Sequence, residues 1–169
     1  HKDQILQTVA QMLENPAGEK VTTAALAKQL GVSEAALYRH FRGKQEILEE
    51  IAARGFDELR KRAMVVVAEK GEGTLEAIVA MGRAYVAFAV DETAVFRLMF
   101  GQQPSLKSAE HVLGTGHECF AHLIDQIALY CKRNRVRGNA QEIALRLWTF
   151  VHGAASLLID RDYESVAPG

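Results

Sequence analysis

Along almost the whole chain the apolar residues recur every three or four positions, and nowhere do they alternate over the length of a strand. A side chain returns to the same face of a helix after 3.6 residues and to the same face of a strand after two, so this spacing restricts the fold class to all-α. Ile5, Leu6, Val9, Met12 and Leu13 make the first stripe. Leu75, Ile78, Val79, Gly82, Tyr85, Val86 and Ala89 make the clearest one. Three prolines in 169 residues leave long segments free to be helical.

The breaks between stripes set the order of helices. Asn15, Pro16 and Gly18 stop the first. Thr22 or Thr23 can cap a short second helix carrying Ala24, Leu26, Ala27 and Leu30, which Gly31 ends. Ser33 can cap a third of one to two turns with Ala36, Leu37 and His40, closed by Gly43. A long fourth helix is expected from Lys44 to about Ala68, followed by a turn at Gly71 and Gly73. The 75–89 stripe follows, then a bulky apolar segment from Ala94 to Phe100 ended by Gly101 and Pro104. Phe120, Leu123, Ile124, Ile127 and Tyr130 lie on another helix, whose start Gly114 and Gly116 weaken. Asn139 opens the last, with Ile143, Leu147, Trp148, Val151, Ala155 and Leu158. The functional boundary falls near residue 46: a helix-turn-helix unit over 1–46, and an effector-binding and dimerisation bundle over 47–169.

With 49% apolar and 24% charged residues, the chain can bury a core. No run of about eighteen uncharged apolar residues occurs and no signal peptide opens the sequence, so a cytoplasmic protein without a membrane span is expected. The sequence begins at His1, not Met, which leaves room for a basic arm upstream. Cys119 and Cys131, twelve residues apart on one helical pattern, would be roughly 18 Å apart, too far for a mutual disulfide. They read as reduced thiols. The net charge of −1 does not itself suggest nucleic acid, but between Lys20 and Lys44 five basic residues face one acidic residue.

That basic segment has the parts of a helix-turn-helix. Ala24, Ala25 and Ala27 allow close helix approach, and Gly31 supplies a turn where φ > 0 is expected. Val32 and Leu37 can pack inward, leaving Ser33, Glu34, Ala35, Tyr38 and Arg39 outside. Ser33, Tyr38, His40 and Lys44 are residue types that meet phosphates or base edges, and Lys44 opens the next helix, where backbone N–H groups add an anion site. Glu34 could accept from a cytosine amine, or be a solvated first-turn acid.

The run Val21-Thr22-Thr23-Ala24-Ala25-Leu26-Ala27, then Gly31-Val32-Ser33, then Leu37-Tyr38-Arg39-His40-Phe41 and Lys44, resembles the tetracycline-repressor (TetR) family. The resemblance implies base contacts from Ser33, Glu34, Ala35, Tyr38 and Arg39. It implies phosphate contacts from Thr23, the Ala36 backbone, Tyr38, His40 and Lys44. Ala36 departs from the hydroxyl residue common at that position. The stretch 32–41 is also similar to a nucleoid-occlusion branch of the same family.

Further on, Met81, Tyr85, Phe88, Phe96, Met99, Phe100, Phe120, Trp148 and His152 form a methionine-rich and aromatic set suited to lining a pocket for a small apolar or mixed-polarity effector, although ordinary core has the same composition. Val95-Phe96-Arg97-Leu98-Met99-Phe100 and Trp148-Thr149-Phe150-Val151-His152-Gly153 are similar to segments of one TetR subclass. That resemblance implies a ligand-responsive domain and a homodimer built on the last two long helices. Gly153, Ala154 and Ala155 would permit close approach there, or within one subunit.

Glu118, His122 and Asp125 share a helix face in types that can hold a divalent ion, but a solvated face explains them as well, so no metal or cofactor is expected. The cluster Lys132, Arg133, Arg135 and Arg137 ends a helix, where cations complement the carbonyl end. Neither a Gly-x-Ser-x-Gly elbow, a phosphate-cradling glycine loop nor a His-Glu-x-x-His motif occurs, so an enzyme is not expected. The expectation is a sequence-specific regulator, a ligand-responsive repressor acting as a homodimer on a pseudo-palindromic operator in double-stranded DNA. The alternative is an architectural or nucleoid-occlusion-type DNA-binding factor without a small effector.

Overall fold

A computed structural model of the chain describes residues 2–15, 20–101 and 109–166. The described residues form helices and no strand: α1 (Lys2–Glu14), α2 (Thr23–Leu30), α3 (Glu34–Tyr38), α4 (Lys44–Lys70), α5 (Leu75–Asp91), α6 (Thr93–Phe100), α7 (Glu110–Asn134), α8 (Ala140–Ile159) and α9 (Asp162–Val166). Pro16, Gly18 and Pro104, expected as helix terminators, lie outside the described residues. The third helix stops at Tyr38, short of Gly43, because the Leu37 carbonyl takes the N–H groups of both His40 and Phe41 and closes a last turn there.

The chain divides into two compact units: His1–Gly55 with Ala94–Gly114, and Phe56–Thr93 with Thr115–Gly169. The first unit buries the inner faces of α1 (Ile5, Leu6, Val9), α2 (Leu26, Ala27) and the first half of α4 (Ile47, Leu48, Ile51), together with Val95, Phe96 and Met99 of α6. Two contacts fix α6. The Glu14 carboxylate at the end of α1 accepts from the N–H groups of Ala94 at 2.7 Å and Val95 at 3.3 Å, satisfying donors that a helix start leaves unpaired. Gly55 of α4 lets α6 close in, since a Cβ there would stand 2.5 Å from Met99 Sδ and 2.9 Å from Val95 Cγ1.

The second unit holds the rest of α4, α5, most of α7, α8 and α9. Ala63 and Val67 of α4 pack with Ala77 and Met81 of α5, and Ile127 and Cys131 of α7 with Ala144 of α8. Thr74 caps α5 through Ala77 N–H, and Asn139 caps α8 through Gln141 and Glu142 N–H. The turn before α5 is tied down by Gln126, a buried polar residue of α7, whose carbonyl oxygen accepts from Gly73 N–H at 2.8 Å. Gly73 has φ +65, and its site is so close to Leu129 that glycine is needed for conformation and for space. The Arg133 guanidinium donates to the Glu72 carbonyl, so this member of the basic cluster ties α7 to the same turn.

Helix α8 packs along α5, where Gly82 admits Val151, 3.3 Å from where a Cβ would stand. Among the described residues α8 is the helix long and apolar enough to cross a membrane by composition. It nevertheless carries Glu142 and Arg146 and donates an indole N–H to Tyr85 of α5, as a bundle helix does. Of its small residues, Ala155 is fully buried within the unit, whereas Gly153 faces open space.

Candidate nucleic-acid interface

The α2–turn–α3 segment is organised by its caps. Thr22, in extended backbone, accepts from Ala25 N–H at 3.0 Å and starts α2, which buries Leu26 and Ala27. Gly31 ends α2 with φ +65, while Val32 N–H reaches the Ala27 carbonyl at 3.0 Å and Gly31 N–H the Lys28 carbonyl at 3.2 Å. A Cβ at Gly31 would meet nothing within 4 Å, so the requirement is for the left-handed backbone alone. Ser33 then caps α3, its hydroxyl accepting from Ala36 N–H at 3.2 Å.

One side chain anchors α3. Leu37 is 1% exposed, and Phe41 is buried just beyond it. Val32, expected to share this role, is 43% exposed; its part is the backbone N–H in the α2 cap. With Leu37 inward, Ser33, Glu34, Ala35, Tyr38, Arg39, His40 and Lys44 are exposed, and Thr23 and Ala36 are half-buried. Among the described residues neither Arg39 nor Lys44 pairs with a carboxylate, whereas Arg42 uses Glu46, which also accepts from Arg42 N–H at 2.6 Å. The Ala36 N–H, implied as a phosphate donor, is already bonded to the Ser33 hydroxyl and lies 2.9 Å from the Ser33 carbonyl.

Three of the candidate residues meet. Thr23 Oγ1 donates to Glu34 Oε2 at 2.8 Å, and Tyr38 Oη lies 3.5 Å from Thr23 Oγ1. Thr23 and Glu34 are eleven positions apart on different helices, so no local pattern announces this pairing. The carboxylate of Glu34 is thus neither unattached nor purely solvated.

The candidate effector residues are divided between the units. Phe96, Met99 and Phe100 belong to the first, with Phe96 and Phe100 rings 4.9 Å apart. Met81, Tyr85, Phe88, Phe120, Trp148 and His152 belong to the second. There Tyr85 Oη lies 2.7 Å from His152 Nδ1 and accepts from Trp148 Nε1 at 3.1 Å, with Phe120 edge-on to Trp148 at 6.0 Å. Burial pushes the Tyr85 hydroxyl well above its usual range and holds the His152 imidazole below its own. Phe88 is set apart from this cluster, 1% exposed beneath the Arg62 guanidinium.

Burial also pushes the Cys119 thiol up to about 11 and the His122 imidazole down. His122 Nε2 is buried without a hydrogen-bond partner among the described residues. Glu118 and Asp125 are exposed, and among the described residues no three His, Cys, Asp or Glu side chains converge as a metal set.

Residues 10–51 match the family profile described as bacterial regulatory proteins, tetR family, and residues 78–168 that of the tetracyclin repressor-like C-terminal domain. The nucleoid occlusion factor SlmA of Marinomonas sp. (strain MWYL1) is 65% identical over 48 residues, 28% of this chain and 24% of that protein. The SlmA of Vibrio campbellii (strain ATCC BAA-1116) is 31% identical over 141 residues, 80% of this chain and 69% of that one. The chain spans between about a quarter and a half of the length of the first curated relatives it matches. A solved structure of a protein of unknown function from Rhodococcus sp. RHA1 superposes with a TM-score of 0.82 at 27% identity, covering 93% of this chain and 81% of that one. With both profiles placed in order along the sequence, and the second alone spanning more than half of it, the chain belongs to the tetR family of bacterial regulatory proteins.

Proposed function

We propose that this chain is a sequence-specific DNA-binding transcriptional regulator that works in the cytoplasm as a homodimer on a pseudo-palindromic operator, with residues 1–46 as the DNA-binding part and 47–169 as the effector-binding and dimerisation part. The observation that carries the reading is α3 with its flanking Ser33 and Arg39: one buried leucine inside, and an outer surface of polar and charged side chains on a glycine turn. Ser33, Glu34, Ala35, Tyr38 and Arg39 face base edges. Tyr38, His40 and Lys44 hold phosphates, and Ala36 and Thr23 lie beside them. In a two-fold dimer the two α3 helices would meet half-sites about 34–36 Å apart or a multiple of that.

The dimer forms through α7 and α8. Helix α8 supports this with Leu145, Phe150 and Leu157 all exposed on one subunit. The effector site uses the aromatic set of the second unit, where Tyr85 and His152 give a polar point within an apolar lining. A ligand there represses or releases DNA only in so far as it binds one conformation of the dimer better than the other. The Trp148–Gly153 element, similar to one subclass of the family, fits the same role.

The test is operator selection from a random duplex pool by the full chain, followed by binding of Arg39→Ala to the selected duplex. Loss of sequence preference is expected; an Arg39→Ala protein that selects the same duplex with equal affinity overturns the reading. The names of the relatives favour a second reading, a nucleoid-occlusion factor without a small effector. A genome-wide binding map separates the two: many dispersed sites support the second, one or two promoters the first.

A further inference from the structure

We propose that Thr23 is a positioning residue for Glu34, and that Glu34 so held reads a cytosine of the operator through its N4 amine. This rests on α3 being the recognition helix.

Thr23 Oγ1 donates to Glu34 Oε2 at 2.8 Å, a short hydrogen bond to a charged acceptor. A threonine hydroxyl has one proton. With that proton given to Glu34, the hydroxyl offers only lone pairs to its other neighbours, and a phosphate oxygen offers the same. The adjacent carboxylate adds like charge. Holding Glu34 and holding a phosphate are therefore exclusive roles for the Thr23 hydroxyl, and the geometry assigns it the first. Tyr38 Oη, 3.5 Å from Thr23 Oγ1 and 52% exposed, is only loosely engaged. Its proton can turn to Thr23, whose lone pair is free to accept it, or outward to the backbone of DNA.

Glu34 is the first residue of α3, directly after the Ser33 cap. Left alone, an exposed glutamate there would sample many rotamers and lose that freedom on meeting a base. Thr23 removes part of the freedom beforehand and leaves Oε1 for a second donor. In the major groove the donors are the exocyclic amines of cytosine and adenine. Adenine carries the acceptor N7 beside its amine, which opposes a carboxylate, and guanine and thymine present acceptors at the same depth. Cytosine is the base that fits.

The experiment uses the full chain, the duplex it selects from a random pool, and the same duplex with each candidate C·G pair changed in turn to T·A. For one pair per half-site the wild-type protein should bind C·G roughly tenfold more tightly. Glu34→Ala should abolish that preference. Thr23→Val, which keeps the shape and removes the donor, should erode the same preference at the same pair and add nothing in the double variant with Glu34→Ala. Thr23→Ser should retain it. The proposal is overturned if Thr23→Val weakens every duplex equally with the preference intact, since Thr23 is then a phosphate contact. It is overturned too if Glu34→Ala keeps the cytosine preference, which holds even where Thr23→Val folds poorly. A wild-type protein that selects no sequence defeats the recognition-helix reading itself, an outcome distinct from both.

Discussion

Helices α3 and α8 both bury few of their side chains, yet they expose opposite chemistry. Helix α3 buries Leu37 and, with its flanking Ser33 and Arg39, presents hydroxyls, a carboxylate and a guanidinium. Helix α8 buries only Ala144 and Ala155 and presents Leu145, Leu147, Leu157, Leu158 and Phe150, the last 76% exposed. Water solvates the first surface at little cost, so α3 can stand ready without a partner. It solvates the second poorly, which is the basis for the proposal that α8 lies in the dimer interface. On the proposed reading each surface has its own use: α3 meets DNA transiently, and α8 is covered whenever the dimer is assembled.

The largest effect should come from attacking the apolar surface. Phe150→Glu removes roughly 2–3 kcal/mol of burial in each copy of a two-fold interface and adds a charge to it. Dimer dissociation should increase by at least about a hundredfold, with operator affinity falling alongside it because two half-sites no longer act together. Sedimentation at micromolar concentration reads the first effect and anisotropy the second. A Phe150→Glu protein that stays dimeric breaks the contrast between the helices.

A change beneath neither surface should move stability and leave both partners alone. Gly55→Ala drives a methyl against Met99 and Val95 of α6, and overpacking of this kind costs about 1–3 kcal/mol. The melting temperature should drop by several degrees while the dimer and the selected operator stay the same. An unchanged melting point would mean that α6 moves aside freely.

The two helices were also unequally legible in the sequence. The caps of α2 and α3 are short-range chemistry: Thr22 bonds three residues ahead, Ser33 likewise, and Gly31 needs only its own φ. Such features lie within a contiguous run, and the family resemblance lies on that run. Val32 misled because its apolar side chain suggested burial, whereas its backbone N–H is what the turn uses. What is held together across the chain left no local trace. Glu14 caps α6 eighty residues away, Thr23 holds Glu34 from another helix, and Gln126 satisfies Gly73. Nor does periodicity tell which apolar stripe faces inward: Ile127 and Leu158 both lie on helical stripes, and one is buried while the other is not.

On the polar surface the expected effects are smaller. Lys44→Ala removes one charge at the start of α4, so it should weaken binding about fivefold on every duplex and lower the slope of log affinity against log salt by about one. Phe150→Glu should act differently, through protein concentration. If Lys44→Ala instead changes which duplex is chosen, Lys44 meets a base and belongs with Arg39.

The smallest effect should be the pH dependence of the second unit, and it sharpens what lies behind the apolar surface. Burial holds the imidazoles of His122 and His152 below the usual value of 6.5 in the folded chain. The unfolded chain then takes up more protons than the folded one as pH falls through about 6.5, so stability drops there and levels off only below the folded values. Asp3 and Asp57 are shifted the same way by their Arg54, and by their Lys61 and Arg60, partners, but their stabilisation is lost only as pH falls below about 3.8, which leaves the histidine window clear. A melting temperature flat between about pH 7 and 8 and falling as pH drops through about 6.5 is expected; the buried Cys119 thiol, whose pKa burial pushes up to about 11, lowers it again only as pH rises through about 9. His122, whose Nε2 has no partner to lose among the described residues, can be replaced by Asn with part of that slope removed. If the slope survives in both His122→Asn and His152→Asn, the proton uptake lies elsewhere and the interior behind α8 is wetter than its packing implies.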